Sequence, residues 1–279
     1  MVVDIVGNIN YFSHSIDGCP AWFVSSARPA ELRSNFERSP VNVNVHDLRD
    51  KEDTVSLETS AFELAKYTGS VQTVFEEGSE AQQTYYQEIS DMFKKRTGAS
   101  RVFIYHFSFR ARNQPFVDEK LDENHRNPVL YPHIDRDRDA VHAVLEKKLG
   151  HDEAEKLKKH RIQMINVWRP IGPNPITIRP LAICDYRSID IKNDVKPMTT
   201  LLVDSHVTAY TLARNANDSH QWYYVSNMRS DEMFLFKQYD SNPDVAQYAF
   251  HTAVEIADPP ASNEEQQSLE IRCLLFYDD

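Results

Sequence analysis

Short apolar runs separated by polar segments dominate the chain after residue 100. Runs of this length, rich in β-branched and aromatic residues, are typical of β-strands. The first of them predicts a strand over residues 102–107. Further strands are predicted over residues 161–169, 177–185, 200–203, 209–213, 221–225, 233–239, 249–255 and 269–277.

Helical periodicity is confined to the part of the chain before residue 161. The clearest helix is predicted over residues 80–96, with Ser79 as its N-cap and Gly98 as its C-terminal stop. Its apolar residues recur at the spacing of one helix face: Tyr85, Ile89, Met92 and Phe93. Two shorter helices are predicted over residues 140–149 and 153–160.

Helices early in the chain and strands alone after them indicate a sheet core backed by helices. We therefore predict a mainly β fold with flanking helices, and the many short strands favour a double-stranded β-helix, the cupin-like jelly roll. We predict one domain over residues 1–279. Within it, residues 1–100 supply helical and extended support, including a short strand over residues 41–45, and the polar residues 113–128 form a surface loop.

Composition and charge exclude several classes of function. The net charge of −11 argues against binding to nucleic acid or to an anionic membrane surface, both of which require a basic face. No apolar stretch is long enough to span a membrane, and no G-x-G phosphate or dinucleotide motif is present. The three cysteines include no C-x-x-C pair, and the N-terminus resembles no signal peptide. We therefore expect buried, reduced thiols and a cytoplasmic protein.

The most informative motif is His133-Ile134-Asp135, in an apolar run rich in strand formers. On a strand, His133 and Asp135 would share one face and Ile134 the other. An imidazole and a carboxylate are two of the three ligands of the two-histidine, one-carboxylate triad that holds non-haem Fe(II). A similar match, His151-Asp152-Glu153, falls at a predicted helix start, where residues two apart do not face each other. We interpret that match as a solvated helix face.

The third ligand of such a triad must come from a distant strand. His251 is the best candidate, because aromatic and small apolar residues surround it in a predicted late strand. His206, in an apparent turn, and His220, at a strand start, fit capping or surface roles better. A buried structural histidine is the alternative role for His251.

Two arginines are candidates for binding an anionic cofactor. Arg272 lies in the middle of the apolar last strand, with Leu274 and Phe276 on its own face. A guanidinium there needs a carboxylate partner, either a protein side chain or the distal carboxylate of 2-oxoglutarate. Arg169 ends the strand over residues 161–169, where it either reaches an active-site mouth or forms a rim salt bridge. In that strand Asn166 and Trp168 share one face, and Val167 and Arg169 share the other.

Lys237 lies in another strongly apolar predicted strand. Its two possible roles are a pocket residue and a charged guard of an edge strand.

Taken together, several motifs resemble the hydroxylase/desaturase family of fungal secondary metabolism, which is related to the smaller protein of the bacterial cephem 7α-methoxylase pair. The resemblance is good over residues 100–279 and loose before them. The motifs are Asn166-Val167-Trp168-Arg169-Pro170-Ile171, Pro180-Leu181-Ala182, Trp222-Tyr223-Tyr224, Phe236-Lys237-Gln238-Tyr239-Asp240-Ser241, His251-Thr252-Ala253 and Glu270-Ile271-Arg272.

The resemblance implies a jelly-roll oxygenase that uses Fe(II), 2-oxoglutarate and O2. His133, Asp135 and His251 would carry over as the metal ligands and Arg272 as the 2-oxoglutarate anchor. The expected reaction is hydroxylation, desaturation or oxidative cyclisation of a small natural product. We also expect either a homodimer or a biosynthetic partner protein, the latter because the cephem relative works with another protein.

Two other functions remain open. One is a jelly-roll metal enzyme that does not use 2-oxoglutarate, in which Arg272 pairs with a protein carboxylate. The other is a non-catalytic partner subunit of a biosynthetic complex.

Overall fold

The predicted strands form a mainly β architecture in the computed structural model, which describes residues 3–24, 34–112, 128–202, 204–257 and 265–278. The three α-helices are α1 (Glu80–Thr97), α2 (Arg138–Leu149) and α3 (His151–Leu157). The strands are β1 (Ile5–Ser15), β2 (Ala21–Val24), β3 (Phe36–Asp47), β4 (Phe62–Lys66), β5 (Arg101–Arg112), β6 (Ile162–Ile171), β7 (Leu181–Cys184), β8 (Val195–Leu201), β9 (His206–Leu212), β10 (Trp222–Tyr224), β11 (Glu232–Asp240), β12 (His251–Ala253), β13 (Glu255–Ile256) and β14 (Gln266–Phe276).

Three sheets organise these strands. A six-stranded sheet has the order β12-β7-β10-β3-β1-β13, and a five-stranded sheet has the order β4-β11-β6-β14-β5. A three-stranded sheet, β2-β8-β9, completes the architecture. One apolar core contains Ile183 of the six-stranded sheet together with Trp168, Phe234 and Phe236 of the five-stranded sheet. The two larger sheets therefore face each other across this core, as in a jelly roll.

Helix α1 covers the outer face of the five-stranded sheet. Its side chains Tyr85, Ile89 and Phe93 pack with Ile165 and Val167 of β6. The Ser79 side chain accepts a hydrogen bond from the backbone N–H of Gln82, and Gly98, at φ 75°, ends the helix in the left-handed conformation. Both predicted ends of α1 are confirmed. Apolar side chains pack against both faces of β6, so every residue of that strand is buried.

The sequence pattern did not predict most of the strands that lie before residue 100. Strands β1 and β3 pair over ten registered positions inside the six-stranded sheet, well beyond the predicted segment 41–45. Many of their outward positions are polar, such as Asn8 and Asn10 of β1 and Asn42 and Asn44 of β3, which weakens the hydrophobic signal of each strand. The predicted loop over residues 113–128 lies outside the described residues except for its last position. The single-domain prediction over residues 1–279 stays a prediction.

The structure also bears on the expectations about cysteines and membrane spans. Cys184 and Cys273 are buried free thiols, as predicted, but Cys19 is exposed, so that part of the prediction is wrong. Among the described residues, no helix is long and apolar enough to cross a membrane.

Lys237 belongs to a buried ion pair. Strand β11 lies between β4 and β6, so the role of edge-strand guard is wrong. The fully buried ammonium of Lys237 donates to Asp240 Oδ2 at 2.5 Å and to the Ala246 carbonyl at 3.0 Å. Arg161 and Gln163 also donate to Asp240 Oδ2, both at 2.7 Å. These contacts make Asp240 the shared counterion of the buried Lys237 and of Arg161, whose side chain is 27% exposed.

Replacing Asp240 by alanine is therefore expected to lower the free energy of unfolding by about 3–5 kcal/mol, because it leaves the buried Lys237 ammonium without its hydrogen-bonded counterion. The other nearby carboxylate, of Glu58, is 3.9 Å away and half exposed. Urea denaturation followed by circular dichroism measures this change. Asp231→Ala is the control, because Asp231 pairs with Lys66 where both side chains are more than half exposed. The control should lose less than about 1 kcal/mol. Equal losses in the two variants would contradict the assignment of Asp240.

Candidate metal centre

Three side chains from two distant segments of the sequence meet between the two large sheets. One potential ligand atom from each of His133, Asp135 and His251 lies within 4.8 Å of the others. His133 and His251 form an antiparallel bridge, in which each backbone N–H donates to the other residue's carbonyl, at 3.2 and 3.0 Å. Their ring centroids are 4.4 Å apart. The structure thus brings together the three side chains predicted as metal ligands.

The segment that carries His133 and Asp135 is not the regular strand predicted from its composition. It makes only isolated bridges, from His133 to Thr211 of β9 and to His251 of β12. The backbone is nevertheless extended enough for alternation to hold: Ile134 points into an apolar cluster, while the two polar side chains meet His251.

Both imidazoles have their tautomer fixed by backbone carbonyls. His133 Nδ1 lies 3.0 Å from the Tyr131 carbonyl, and His251 Nδ1 lies 3.2 Å from the Ala249 carbonyl. Because a carbonyl only accepts, each Nδ1 donates and each Nε2 keeps its lone pair. His133 Nε2 lies 3.9 Å from Asp135 Oδ1. Two imidazole nitrogens and one carboxylate oxygen therefore converge as unprotonated donors, the pattern of a facial triad.

The pKa values of the cluster favour the same protonation states. Burial and, to a smaller extent, the nearby His251 together lower the pKa of His133 to about 4. Burial also lowers the pKa of His251. Burial alone would raise the pKa of Asp135, but Arg272 and the two histidines outweigh it and hold that pKa below its usual range. At neutral pH the cluster is therefore two neutral imidazoles and one carboxylate.

Arg272 lies beside this cluster on β14, opposite Asn166 of β6. Its Nη2 is 3.0 Å from Asp135 Oδ1 and 3.4 Å from Glu270 Oε1. Glu270 also faces Arg110, whose Nη2 lies 3.9 Å from Oε2. Burial opposes the charged form of Arg272, but Asp135 and Glu270 raise its pKa above the usual range. In this structure, a protein carboxylate is thus the main partner of the Arg272 guanidinium.

Arg169, the second predicted cofactor residue, is not brought to the cluster. It is fully buried, and its guanidinium stacks over the Tyr67 ring at 3.8 Å. It also donates to the carbonyls of Val71 and Ser230. Side chains alternate between the two faces of a strand, so residues 166 and 169, an odd number of positions apart, lie on opposite faces of β6. This alternation explains why Arg169 is separated from the cluster beside Asn166. We therefore assign Arg169 a structural role under α1.

The three other histidines considered as metal ligands have different surroundings. His151 begins α3 and is exposed beside Glu146 and Glu155, as predicted for a solvated face. His206 is exposed at the first position of β9, not in a turn. The surface role predicted for His220 is wrong, because this buried ring lies 2.9 Å from Asp194 Oδ2. That pairing joins residues 26 apart and gave no local sequence signal.

Buried polar atoms without a partner concentrate around Asp135. Among the described residues, four of the six such atoms are Arg136 Nε, Asn166 Oδ1, Gln238 Nε2 and Arg272 Nε. Asn166 and Gln238 hydrogen-bond to Asp135, at 2.7 and 2.6 Å, and Arg136 follows it in the chain. Native cores leave few such atoms, so this cluster fits a site that receives a polar ligand. Gln238 and Arg136 were not found from the sequence, because nothing in a local pattern indicates a missing partner.

Comparisons with known proteins agree with this geometry. A family model described as an oxidoreductase/YMDC permease-like domain matches residues 9–276. The hydroxylase/desaturase efuI of Hormonema carpetanum is 30% identical over 97% of this chain and 94% of its own length. The alpha-ketoglutarate-dependent dioxygenase phiK of a fungal species (strain ATCC 74256) is 30% identical over 96% and 95%. The solved structure of the iron and alpha-ketoglutarate-dependent endoperoxidase NvfI matches with a TM-score of 0.82, 24% identity and 98% coverage of both chains.

These relatives confirm the predicted jelly roll, an oxidoreductase of the dioxygenase class, its use of Fe(II), 2-oxoglutarate and O2, and a small-molecule substrate. The chain belongs to the Fe(II)/2-oxoglutarate-dependent hydroxylase/desaturase family of fungal secondary metabolism.

Proposed function

We propose that His133, Asp135 and His251 hold Fe(II), that Arg272 anchors 2-oxoglutarate, and that the enzyme hydroxylates, desaturates or oxidatively cyclises a natural product. The observation that carries the proposal is the convergence of the three donor atoms within 4.8 Å of one another. Two neutral imidazoles and one carboxylate leave coordination positions open for co-substrate and dioxygen. Iron bound there with 2-oxoglutarate supplies the oxidation of a substrate C–H bond.

The polar surroundings support the assignment of Arg272. Asp135 Oδ1 faces both His133 and the guanidinium, at 3.9 and 3.0 Å. A metal cation bound by this oxygen would balance the negative charge of the Asp135 carboxylate, which Arg272 balances in its absence. The guanidinium, whose buried Nε has no partner among the described residues, is then available for a bidentate carboxylate. The distal carboxylate of 2-oxoglutarate has that chemistry.

The protein also limits the access of water to this centre. His133 is 8% exposed and His251 is 4% exposed. Phe236 packs against the His251 ring with centroids 4.7 Å apart, and Tyr131 packs against the His133 ring at 5.3 Å. Apolar walls of this kind orient the substrate and protect a reactive centre from side reactions.

Anaerobic thermal melting tests the proposal directly. Fe(II) should raise the melting temperature, and 2-oxoglutarate should raise it further only when metal is present, because ligands that bind the native state stabilise it. In air, the loaded enzyme should convert 2-oxoglutarate to succinate, faster when the natural substrate is supplied. A protein that neither binds Fe(II) nor consumes 2-oxoglutarate would overturn the proposal.

The same experiment separates the two other functions. A jelly-roll metal enzyme without 2-oxoglutarate is favoured by the Arg272–Asp135 contact; it would respond to metal and not to the keto acid. A non-catalytic partner subunit would respond to neither. The family membership outweighs the single contact, because it covers nearly the whole chain.

Some expectations on partners and location belong to the proposal. We expect no nucleic-acid or membrane partner, since the net charge of −11 is unfavourable for both. Free cysteines support a reducing compartment, in keeping with a cytoplasmic enzyme. A homodimer or a biosynthetic partner protein is part of the proposal, and size-exclusion chromatography with light scattering tests the first.

A further inference from the structure

Asn166 makes a hydrogen bond whose partner is a proposed metal ligand. It lies in the middle of β6 and is fully buried. Its amide Nδ2 donates to Asp135 Oδ2 at 2.7 Å. Because a carboxylate only accepts, the amide nitrogen must face Asp135, so the orientation of the Asn166 side chain is fixed.

The bonding of Asn166 differs from that of a structural core amide. A buried amide that supports only the fold normally has partners on both its oxygen and its nitrogen. Asn166 Oδ1 has none among the described residues. Asn35 provides the comparison: its side chain accepts from the Trp22 N–H and donates to Asp17 and to the Pro20 carbonyl. The side-chain hydrogen bond of Asn166 goes to the carboxylate of Asp135.

The contacts of Asp135 divide its two oxygens between different partners. Asn166 holds Oδ2, whereas Oδ1 faces His133 Nε2 at 3.9 Å and Arg272 Nη2 at 3.0 Å. A metal ion that takes the place of the Arg272 guanidinium next to Oδ1 would therefore bind that oxygen alone, because Oδ2 already accepts a hydrogen bond from the Asn166 amide. Hydrogen-bond partners of this kind fix ligand orientation and tune metal affinity.

The backbone around Asp135 leaves room for support by side chains. Nearby N–H groups, of Ile134 and Asp137, donate to carbonyls of β9, but the segment forms isolated bridges and no regular strand. Instead, the N–H of Asp135 donates to the side-chain oxygen of Gln238 at 2.6 Å. Both Asn166 and Gln238 belong to the five-stranded sheet, so the rigid sheet orients a carboxylate on an irregular segment.

We propose that Asn166 is a positioning residue that makes Asp135 a monodentate ligand through Oδ1 and so keeps a coordination position open for the co-substrate. The inference rests on the proposed function, since it requires metal at the three-residue centre. Without Asn166, the carboxylate turns and either binds through both oxygens or loses its alignment. Both changes weaken the binding of a chelating keto acid.

The test uses Co(II), whose visible absorption reports coordination number, bound anaerobically to the full chain. Asn166→Ala and the volume-conserving Asn166→Leu should weaken Co(II) binding about tenfold to a hundredfold. The visible spectrum should change in both variants, and the Kd of 2-oxoglutarate for the Co(II)-loaded protein should rise. Asn35→Ala is the matched control. It also removes a buried amide, so it should lower the melting temperature while leaving the Co(II) spectrum and Kd unchanged.

Three outcomes are distinguishable. A changed spectrum and weaker 2-oxoglutarate binding in both Asn166 variants, but not in Asn35→Ala, support the inference. A wild-type spectrum and wild-type affinities in the folded Asn166→Leu protein overturn it and leave the proposed function intact. Failure of the wild-type protein to bind Co(II) overturns the proposed function and the inference together.

Discussion

Replacing His251 by alanine is expected to abolish Fe(II) binding and to lower 2-oxoglutarate-dependent turnover by about a thousandfold or more, equivalent to roughly 4 kcal/mol in the activation barrier. The expectation follows from the fixed tautomer of this imidazole, which presents an unprotonated Nε2 beside His133 and Asp135. Two remaining ligands cannot hold the metal in a facial arrangement. Anaerobic Fe(II) titration and succinate production measure the two effects, and His133→Ala should behave in the same way.

His151→Ala is the control for this experiment. His151 also precedes an acidic pair in sequence, but it is exposed at the start of α3 and far from β12 in the chain. Its removal should leave metal affinity and turnover unchanged. If His251→Ala retained stoichiometric Fe(II) and wild-type turnover, the three-residue centre would be wrong, whatever the family of the protein.

The relative positions of His133 and Asp135 could be predicted because side-chain alternation depends only on the local, extended backbone. Alternation along an extended backbone places residues 133 and 135 on one side, and it does so even though the expected regular strand is absent. The same rule placed Arg272 on the face of β14 that carries Leu274 and Phe276, and Ile271 and Cys273 on the other face pack in the α1 core. Which of these faces adjoins the metal centre was not predicted, because it depends on how β14 pairs with β6.

Partners across sheets could not be predicted in this way. Alternation showed that Arg169 faces away from Asn166. It did not show that Tyr67, which follows the end of β4 much earlier in the chain, stacks against the Arg169 guanidinium. Gln238 gave no signal, because a single amide in an apolar strand is compatible with a core position or an edge position. Only the pairing of β11 with β6 brings it to the Asp135 N–H. Tertiary pairing, not local pattern, decides such contacts.

Replacing Arg272 by methionine is expected to weaken 2-oxoglutarate binding by about a hundredfold, within the ~2–5 kcal/mol cost of leaving one charge of a buried pair unmatched. Methionine keeps the length of the side chain, so the face of β14 shared with Leu274 and Phe276 stays filled. Arg272→Lys should be intermediate, because an ammonium keeps the charge and loses the bidentate fork. The measurement is the Kd of 2-oxoglutarate for the anaerobic, metal-loaded protein.

The Kd of 2-oxoglutarate decides between the two roles of Arg272, and the Fe(II) affinity of the same variant shows that the metal centre itself is intact. If Arg272 serves as the anchor, Arg272→Met binds Fe(II) at least as tightly as the wild type, because Asp135 Oδ1 has lost a competing cation at 3.0 Å, while 2-oxoglutarate binding falls. Arg169→Met is the matched control: it removes a buried arginine on the opposite face of the same sheet and should reduce stability without changing either Kd. An unchanged Kd for 2-oxoglutarate in Arg272→Met would mean that Arg272 only balances the charge of Asp135 and Glu270, as in a metal enzyme that does not use the keto acid.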